Sequence, residues 1–572
     1  MFPLETIVSR AKRRGFVYPW SDIYGWLANA WDYGPYGSQL KKNVSDLWWK
    51  IFIQEREDMI WLDSQVLMHP KVWEASGHVA GFNDPLIDDK NTGERFRADK
   101  LIEDAIEIMK NKIPSLLKDM FDDLTSDKND IEINKRFSVA EYFLEKYEKE
   151  NSDEMKKEYL KFVSEALDEI KSINETLKWR LERFNNLYKV HSSKWPEWVV
   201  KMVLWMFFKK DMNLIPESRS FDDMKKFIVS YYKNNPNKKR QKADWTDVRK
   251  FSMMFYTYQG VLHDDENKIW MRPETAQGIF VNFKNVIDTT RMRVPFGIWQ
   301  IGKAFRNEIT PGNFLYRTRE FEQMEIEYFV ENDPVKADEA FATWRAASMN
   351  RWQNVMQFKA DNVRFRQHES DELSHYSAWT FDVEFKYPWW WGELQGIANR
   401  TDFDLKAHQE HSKQSMQYTD PYTWARYIPR VIEPSFWLSR TVLACMFDAY
   451  DEETYTAWSW QEETRVVVRF PAQLAPVKVA IFPLIKKDEQ QVAVAEDLWR
   501  KLAKVTNVEY DDGGAIGKRY RRQDEIGTPR CITIDHATIE TGMVTLRDRD
   551  TMQQISLHTD DIVAWVKEKL AV

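Results

Sequence analysis

The sequence predicts an α+β chain: a long antiparallel hairpin among helical segments, a charged helical insertion, and a C-terminal α/β domain. Three observations carry this. First, "VPFGIWQIGKAFRNE" and "TREFEQMEIEYFV" are β-like runs joined by "ITPGNFLYR", where Pro311 and Gly312 mark a turn, so they read as a long antiparallel hairpin. Second, Leu160, Val163, Leu167, Ile170, Ile173, Leu177, Leu181 and Phe184 recur at helical spacing inside a Lys-, Glu- and Asp-rich, Gly-poor segment. Third, beyond Ala475 the buried-strand run "VKVAIFPLI", a helical pattern over 488–504, and the strand-like "RCITID" and "MVTLRDRD" follow one another.

In chain order, "WDYGPYGSQLKKNVSDLWWKIFI" reads as a Gly/Pro turn opening an amphipathic helix, and "VWEASGHVAGFNDPL" as a helix and a Gly-containing loop. The helical stripe places an insertion over 105–245. Within the hairpin, the period of two puts Phe321, Gln323 and Glu325 on one face of the second strand, and Arg306 and Glu308 on one face of the first. Residues 331–357 read as helix. "FDVEFKYPWWWGELQGIANR" reads as a strand and turn, and "VIEPSFWLSR" as a strand, a small-residue turn and a helix. The division expected from 572 residues is 1–104, 105–245, 246–470 and 471–572.

Composition narrows the class. A chain 43% hydrophobic and 30% charged builds a sizeable core. Its longest apolar runs are too short to span a bilayer, and the N-terminus lacks a secretory pattern, so a cytoplasmic location with no membrane partner is expected. Two cysteines, Cys445 and Cys531, with no CxxC, exclude a four-thiolate zinc site, so any metal would be oxygen-bound. Net charge is 82 − 90 = −8, which argues against a non-specific nucleic-acid coat. The basic stretches "NNPNKKRQK" (234–242) and "GKRYRRQ" (517–523) read from charge alone as solvated surface. Tryptophan, at 26, outnumbers glycine, at 19, and that glycine content is about half the ~7% usual in proteins.

The polar chemistry gathers on strands and turns. Arg306, Arg317 and Arg319 can present forked donors to phosphate oxygens. Glu308 between them suits a Mg²⁺ bridging phosphates. Phe321 can stack a flat base, and Glu274, Glu325 and Glu433 can hold an ammonium group. Together they suggest a site for a nucleotide and a small cationic ligand; the other reading is a sheet surface laced with ion pairs.

Several long strings are more specific. "RPETAQGIFVNFKNV" (272–286), "GKAFRNEITPGNFLYRTREFEQMEIEYF" (302–329), "WGELQGIANRTDFDLKAH" (391–408) and "YIPRVIEPS" (427–435) closely resemble the dimeric class II glycyl-tRNA synthetases. So do "WDYGPYG", "MHPKVWEASGHVAGFNDPL" and "FRADKL" in the N-terminal region, and "YRRQDEIGTP" and "TLRDRDTM" near the C-terminus. The resemblance leaves out roughly 105–245. It implies an α+β class II aminoacyl-tRNA synthetase catalytic domain built as an antiparallel sheet flanked by helices, an α/β anticodon-binding domain, and ATP-dependent attachment of glycine to tRNA(Gly) through glycyl-adenylate. Its implied cofactors are ATP and Mg²⁺, with no zinc, and its partners are tRNA(Gly), glycine and a second copy in a homodimer.

Carried over residue by residue, the resemblance implies catalytic roles for Arg306, Glu308 and Arg440. ATP would be held by these with Asn307, Tyr316, Arg317, Thr318, Arg319, Glu320, Phe321, Glu393, Leu394, Trp437, Leu438 and Ser439. Glycine would be held by Arg97, Glu274, Phe321, Glu322, Gln323, Met324, Glu325, Glu433, Pro434, Ser435, Phe436 and Trp437. Glu308 and Glu393 would hold Mg²⁺ through the ATP phosphates. Glycine offers no side chain to grip, so a tight pocket must exclude larger amino acids by shape. "GKRYRRQDE" gains weight as a tRNA contact.

The chain also departs from the family. Trp20, Trp26, Trp61, Trp299, Trp390 and Trp437 stand where the family has glycine, with Trp379 and Trp424 as weaker cases; Trp31, Trp73 and Trp391 match family tryptophans. Random drift would also give alanine and serine. One codon explains the set: UGA, which some bacterial lineages read as glycine, translated here as tryptophan. The rival reading is a genuine Trp-bearing relative, catalytically impaired, that only binds tRNA or a partner. Cysteines that many relatives carry near "IDDKNTGERFRAD" are missing.

Overall fold

The computed structural model describes residues 2–25, 27, 29–105, 220–234, 242–368, 377–456 and 462–570. The helical stripe at 160–184, Trp26, and 235–241 of the first basic stretch lie outside them. The chain divides into two compact units, Met1–Phe82 with Ser252–Val572, and Asn83–Phe251.

The first unit is organised by a seven-stranded sheet: β1 (Met59–Trp61), β2 (Phe296–Phe305), β3 (Glu320–Val330), β4 (Val363–Gln367), β5 (Trp379–Lys386), β6 (Trp391–Thr401) and β7 (Arg430–Trp437). Their order is β4-β5-β6-β7-β3-β2-β1, antiparallel except for β1 beside β2. The expected hairpin is β2–β3, in register from Phe296↔Phe329 to Phe305↔Glu320. β7 lies between β3 and β6, so Ser435 faces Glu325 on one side and Gly396 on the other.

Strand alternation gives the two faces different characters. One carries Met324, Ile326 and Phe436, and packs a largely apolar surface against α1 (Pro35–Trp49), α3 (Pro334–Asn350) and α5 (Leu438–Ala449). The opposite face is apolar only at one end, where Phe296, Phe329 and Val431 meet Phe280 and Phe283 of α2 (Ala276–Thr290) and Leu405 of α4 (Phe403–Ser412). Past Phe329 that face turns polar through Glu327, Glu325 and Gln323, then ends at Phe321. A buried sheet face that changes from phenylalanine to glutamate is where a ligand site is to be sought, because buried carboxylates are costly unless matched by partners.

Two local expectations are corrected. β2 stops at Phe305: the Glu308 amide donates to the Arg306 carbonyl at 2.7 Å, a tight turn that ends the alternation, so Arg306 and Glu308 do not share a strand face. No small-residue turn separates β7 from α5. The strand passes directly into the helix, with Trp437 as N-cap in extended conformation (φ −96°, ψ 101°) and no side-chain cap.

Beyond residue 478, strands Val508–Tyr510, Val479–Pro483, Arg530–Ile534, Met543–Asp548 and Gln554–His558 form a five-stranded mixed sheet in that spatial order. Helix Glu489–Leu502 covers it, and Asp488 caps that helix by accepting from the Gln490 and Gln491 amides. The second unit pairs strands Asn83–Asp88 and Arg95–Arg97, and packs Phe227 and Ile228 of helix Phe221–Asn234 around Ile87, Leu101 and Trp245.

Candidate active site

Four glutamates converge on the polar end of the sheet face. Glu325 on β3 accepts from the Thr275 amide (2.7 Å) and hydroxyl, from Gln323 Nε2 (2.8 Å), and from Ser435 Oγ (2.9 Å). Glu433 on β7 meets Arg400 Nη1 at 2.9 Å, and Arg400 also clamps Asp404 of α4 with Nε (2.8 Å) and Nη2 (2.9 Å). Glu274, just before α2, is held by Gln277 (3.0 Å), His78 (3.4 Å) and Arg400 (3.7 Å). Glu327 is fully buried, and both its carboxylate oxygens lack a hydrogen-bond partner.

One guanidinium among so many acids sets their protonation. Burial raises the Glu433 carboxyl, and the charges of Glu325 and Glu274 add to this against Arg400, taking it to about 8. Glu325 is raised by burial and by Glu274. Burial and Glu433 push Glu327 well above the carboxylate range. Glu274 is buried too, but the attraction of His78 and Arg400 outweighs its desolvation and holds it below that range. The pocket is therefore short of positive charge, the condition in which an ammonium group is welcome.

Beside it lies a slot of arginines. The Arg306 guanidinium donates through Nε to the Pro273 carbonyl (3.1 Å), and Arg319 through Nε to the Glu308 carbonyl (3.2 Å). Among the described residues, neither these two nor Arg317 forms an ion pair with a carboxylate. Glu308 Oε2 is buried without a hydrogen-bond partner. Arg440, from the first turn of α5, differs: it binds Glu393 Oε2 (2.9 Å) and the Tyr316 carbonyl (3.1 Å). Burial disfavours the Glu393 anion, but Arg440 and the Trp437 indole more than compensate, so its carboxyl sits low.

The face of β3 and β7 thus brings together Phe321, Gln323, Glu325, Glu433, Ser435 and Trp437, with Glu274, Arg306 and Arg440 beside them. It does not bring there Glu322, Met324, Pro434 or Phe436, which alternation sends to the opposite face: Met324 and Phe436 are core, with Leu394 and Leu438, and Glu322 pairs with Lys41 at 2.6 Å. Tyr316, Arg317, Thr318 and Ser439 line the cleft next to Phe321, whereas Glu320 is exposed against Lys303. Asn307 is anchored by its amide to the Met253 carbonyl (2.8 Å). Arg97 belongs to the second unit, paired with Asp84 (2.9 Å) and Asp99 (2.6 Å).

Sequence reasoning missed Arg400, Asp404, Thr275, His78 and Glu327. Arg400 and Asp404 carried a signal, a basic and an acidic residue four apart where a strand enters a helix. Glu327 carried one too, as the next residue on the Glu325 face.

Trp299 on β2 is buried in the main core and pairs in register with Trp61 on β1, their rings 5.4 Å apart. Trp20 and Trp390 are exposed. In the C-terminal basic helix, Ile516–Ile526, most of the cations are engaged: Arg519 is buried on the carbonyls of Pro483 and Gly514, Arg521 pairs with Glu463, and Arg522 with Asp511. Lys518 is exposed.

Known proteins share much of this chain. Residues 478–569 match the model of an anticodon binding domain, and residues 84–187 that of glycyl-tRNA synthetase insertion domain 1. The glycine–tRNA ligase of Ruminiclostridium cellulolyticum is 44% identical over 99% of this chain and 98% of its own. Those of Lysinibacillus sphaericus and Caldanaerobacter subterraneus subsp. tengcongensis are 43% and 42% identical over the same shares. A solved prolyl-tRNA synthetase from Cryptosporidium parvum superposes with a TM-score of 0.43 at 16% identity, over 56% of this chain and 62% of its own, which is too loose to support an argument.

Proposed function

The chain belongs to the glycine–tRNA ligase family, and we propose that the two halves of its site divide that family's reaction between them. The protein joins glycine to tRNA(Gly) at the expense of ATP. A glycine carboxylate oxygen attacks the α-phosphorus, the bond to the β-phosphate oxygen breaks, and pyrophosphate leaves with the electron pair. The 3′-terminal ribose hydroxyl of the tRNA then attacks the carbonyl of the adenylate, loses its proton, and AMP departs. Both steps are displacements that need alignment and charge neutralisation rather than a covalent enzyme nucleophile.

In this reading Glu274, Glu325 and Glu433 grip the glycine ammonium, and Ser435 with Gln323 closes the space a side chain would need. Arg306 spans the glycine carboxylate and the α-phosphate, Arg317 contacts the ATP, Arg440 reaches the γ-phosphate, and Phe321 stacks the adenine. Glu308 and Glu393 suit Mg²⁺: Glu308 Oε2 is buried and unpartnered, and Glu393 stays ionised. No group of three or more His, Cys, Asp or Glu side chains among the described residues is arranged to hold a metal ion, so phosphate oxygens would complete the coordination. The ion would neutralise charge on the departing pyrophosphate. The four-part division of the chain, the homodimer and the cytoplasmic location belong to this proposal as well. No helix among the described residues is long and apolar enough to cross a membrane.

One observation carries the reading: arginines with no carboxylate partner among the described residues stand next to a buried pocket with more carboxylates than cations. Isotope exchange between pyrophosphate and ATP, catalysed by the protein from its own cells, tests it. Exchange is expected with glycine and not with alanine; exchange indifferent to glycine would remove the proposal.

A further inference from the structure

The indole of Trp437 stands where this reaction needs open space. Alternation puts Trp437 on the face of Glu433 and Ser435, opposite Gln323 of β3. Its ring lies 4.8 Å from the Phe321 ring, 4.9 Å from the Arg306 guanidinium carbon and 3.9 Å from that of Arg440. Its Nε1 donates to Glu393 Oε1 at 3.0 Å. These four side chains are those assigned above to the base, the α-phosphate, the γ-phosphate and the metal. A single side chain occupies the binding surface of all four, offering the guanidiniums a π face and the carboxylate a donor in place of a ligand. The remaining cleft, lined by Glu308, Tyr316, Arg317, Phe321, Trp437 and Arg440, measures ≈ 260 Å³ with open solvent included.

We propose that the catalytically competent polypeptide carries glycine at position 437, and that tryptophan there closes the nucleotide site. This rests on the function proposed above. The backbone at 437 is extended and makes no demand for a side chain. Removing the indole would uncover Phe321, Arg306, Arg440 and Glu393 together and leave the strand pairing in place.

Other tryptophans of the set fit one cause. Trp390 is 63% and Trp424 77% exposed, so their indoles add little to any core. Trp424 also sits at φ +59°, a left-handed conformation that favours glycine. With 26 tryptophans against 19 glycines in the chain, decoding of UGA as glycine during synthesis accounts for position 437 and for the group.

The test compares two full-length proteins, one with the sequence as it stands and one with Trp437→Gly, by equilibrium binding of ATP and by glycine-dependent pyrophosphate exchange. Trp437→Gly is expected to bind ATP where its parent does not, and to exchange at least about 100-fold faster. A third protein, with the exposed pair changed as Trp20→Gly and Trp390→Gly but Trp437 kept, is expected to fold and remain blocked, which separates occlusion from misfolding. Equal ATP affinity and equal exchange with either residue at 437 overturn the proposal. ATP binding restored by Trp437→Gly, with exchange that ignores glycine, upholds the occlusion and rejects the functional reading instead. Mass spectrometry of the protein from its own cells gives a separate answer. The tryptic peptide 431–440 should carry the lighter mass of glycine at 437, and the tryptophan mass there would also overturn the proposal.

Discussion

Glu274, Glu325 and Glu433 are nearly inaccessible to solvent, and each already holds donors supplied by the protein. Just beyond the end of that face, Arg306, Arg317 and Arg319 form no ion pair among the described residues: Arg306 and Arg319 donate to backbone carbonyls, and Arg306 also faces the rings of Phe321 and Trp437. The acid pocket is assembled before any ligand arrives, by a network with Arg400 at its centre. The arginine slot is left for the ligand's charge to complete. Disturbing the first should therefore damage the fold, and disturbing the second should damage the reaction alone. Activities predicted from this contrast are those of the Trp437→Gly protein.

The largest effect is expected at Arg400. It is buried, and Asp404, Glu433 and Glu274 all depend on it. Arg400→Ala leaves carboxylates buried without their cation, a loss of about 3–5 kcal/mol in stability, measured by denaturant unfolding. Arg306→Gln supplies the contrast. It removes a donor needed where charge develops, so exchange should fall about 10²–10³-fold, while the unfolding midpoint stays within error. Equal losses of stability in the two variants would break the distinction between a prebuilt pocket and a waiting slot.

A pH effect sharpens the comparison from the acid side. Burial with the nearby charges of Glu325 and Glu274 takes the Glu433 carboxyl to about 8, against about 4.3 when unfolded. Between these values the folded state binds more protons than the unfolded state, so this group's contribution to stability falls as pH rises. It is fully present below about 4.3 and lost as pH passes through 8. Glycine binding runs the other way, since an ammonium group is held by a carboxylate and not by a carboxylic acid. KM for glycine should fall as pH rises toward 8, by no more than about tenfold per pH unit for one proton. In Glu433→Gln both slopes should flatten, and steady-state kinetics with thermal melts across pH 6–8.5 would reveal slopes that persist.

Much of this site was legible because sheets have a simple period. The face holding Phe321, Gln323 and Glu325 follows from alternation alone, and the register confirms it through Glu325↔Ser435 and Gln323↔Trp437. The same rule shows why Met324 and Phe436, contiguous with site residues in sequence, are core. What alternation could not supply were partners from distant chain segments. Arg400 reaches Glu433 because β6 pairs with β7, and Thr275 reaches Glu325 because the start of α2 packs against that face. Nor could it place Arg306 and Glu308, because the strand ends one residue earlier and a tight turn takes over. The resemblance names candidates; the fold shows which of them meet.

The smallest effect concerns the C-terminal helix, where the sequence shows a string of cations that the structure largely accounts for. Arg519 is buried and bonds the carbonyls of Pro483 and Gly514, so Arg519→Ala should act on stability through orphaned acceptors. Arg521 and Arg522 are already paired with Glu463 and Asp511. Lys518 is exposed and forms no ion pair among the described residues, so it resembles the arginine slot in miniature: a charge available to an incoming phosphate. Lys518→Ala should weaken tRNA binding a few-fold, reduce the slope of log affinity against log salt by about 1, and leave pyrophosphate exchange untouched. An unchanged salt slope would mean that this helix, for all its basic sequence, is scaffold and that tRNA phosphates are met elsewhere.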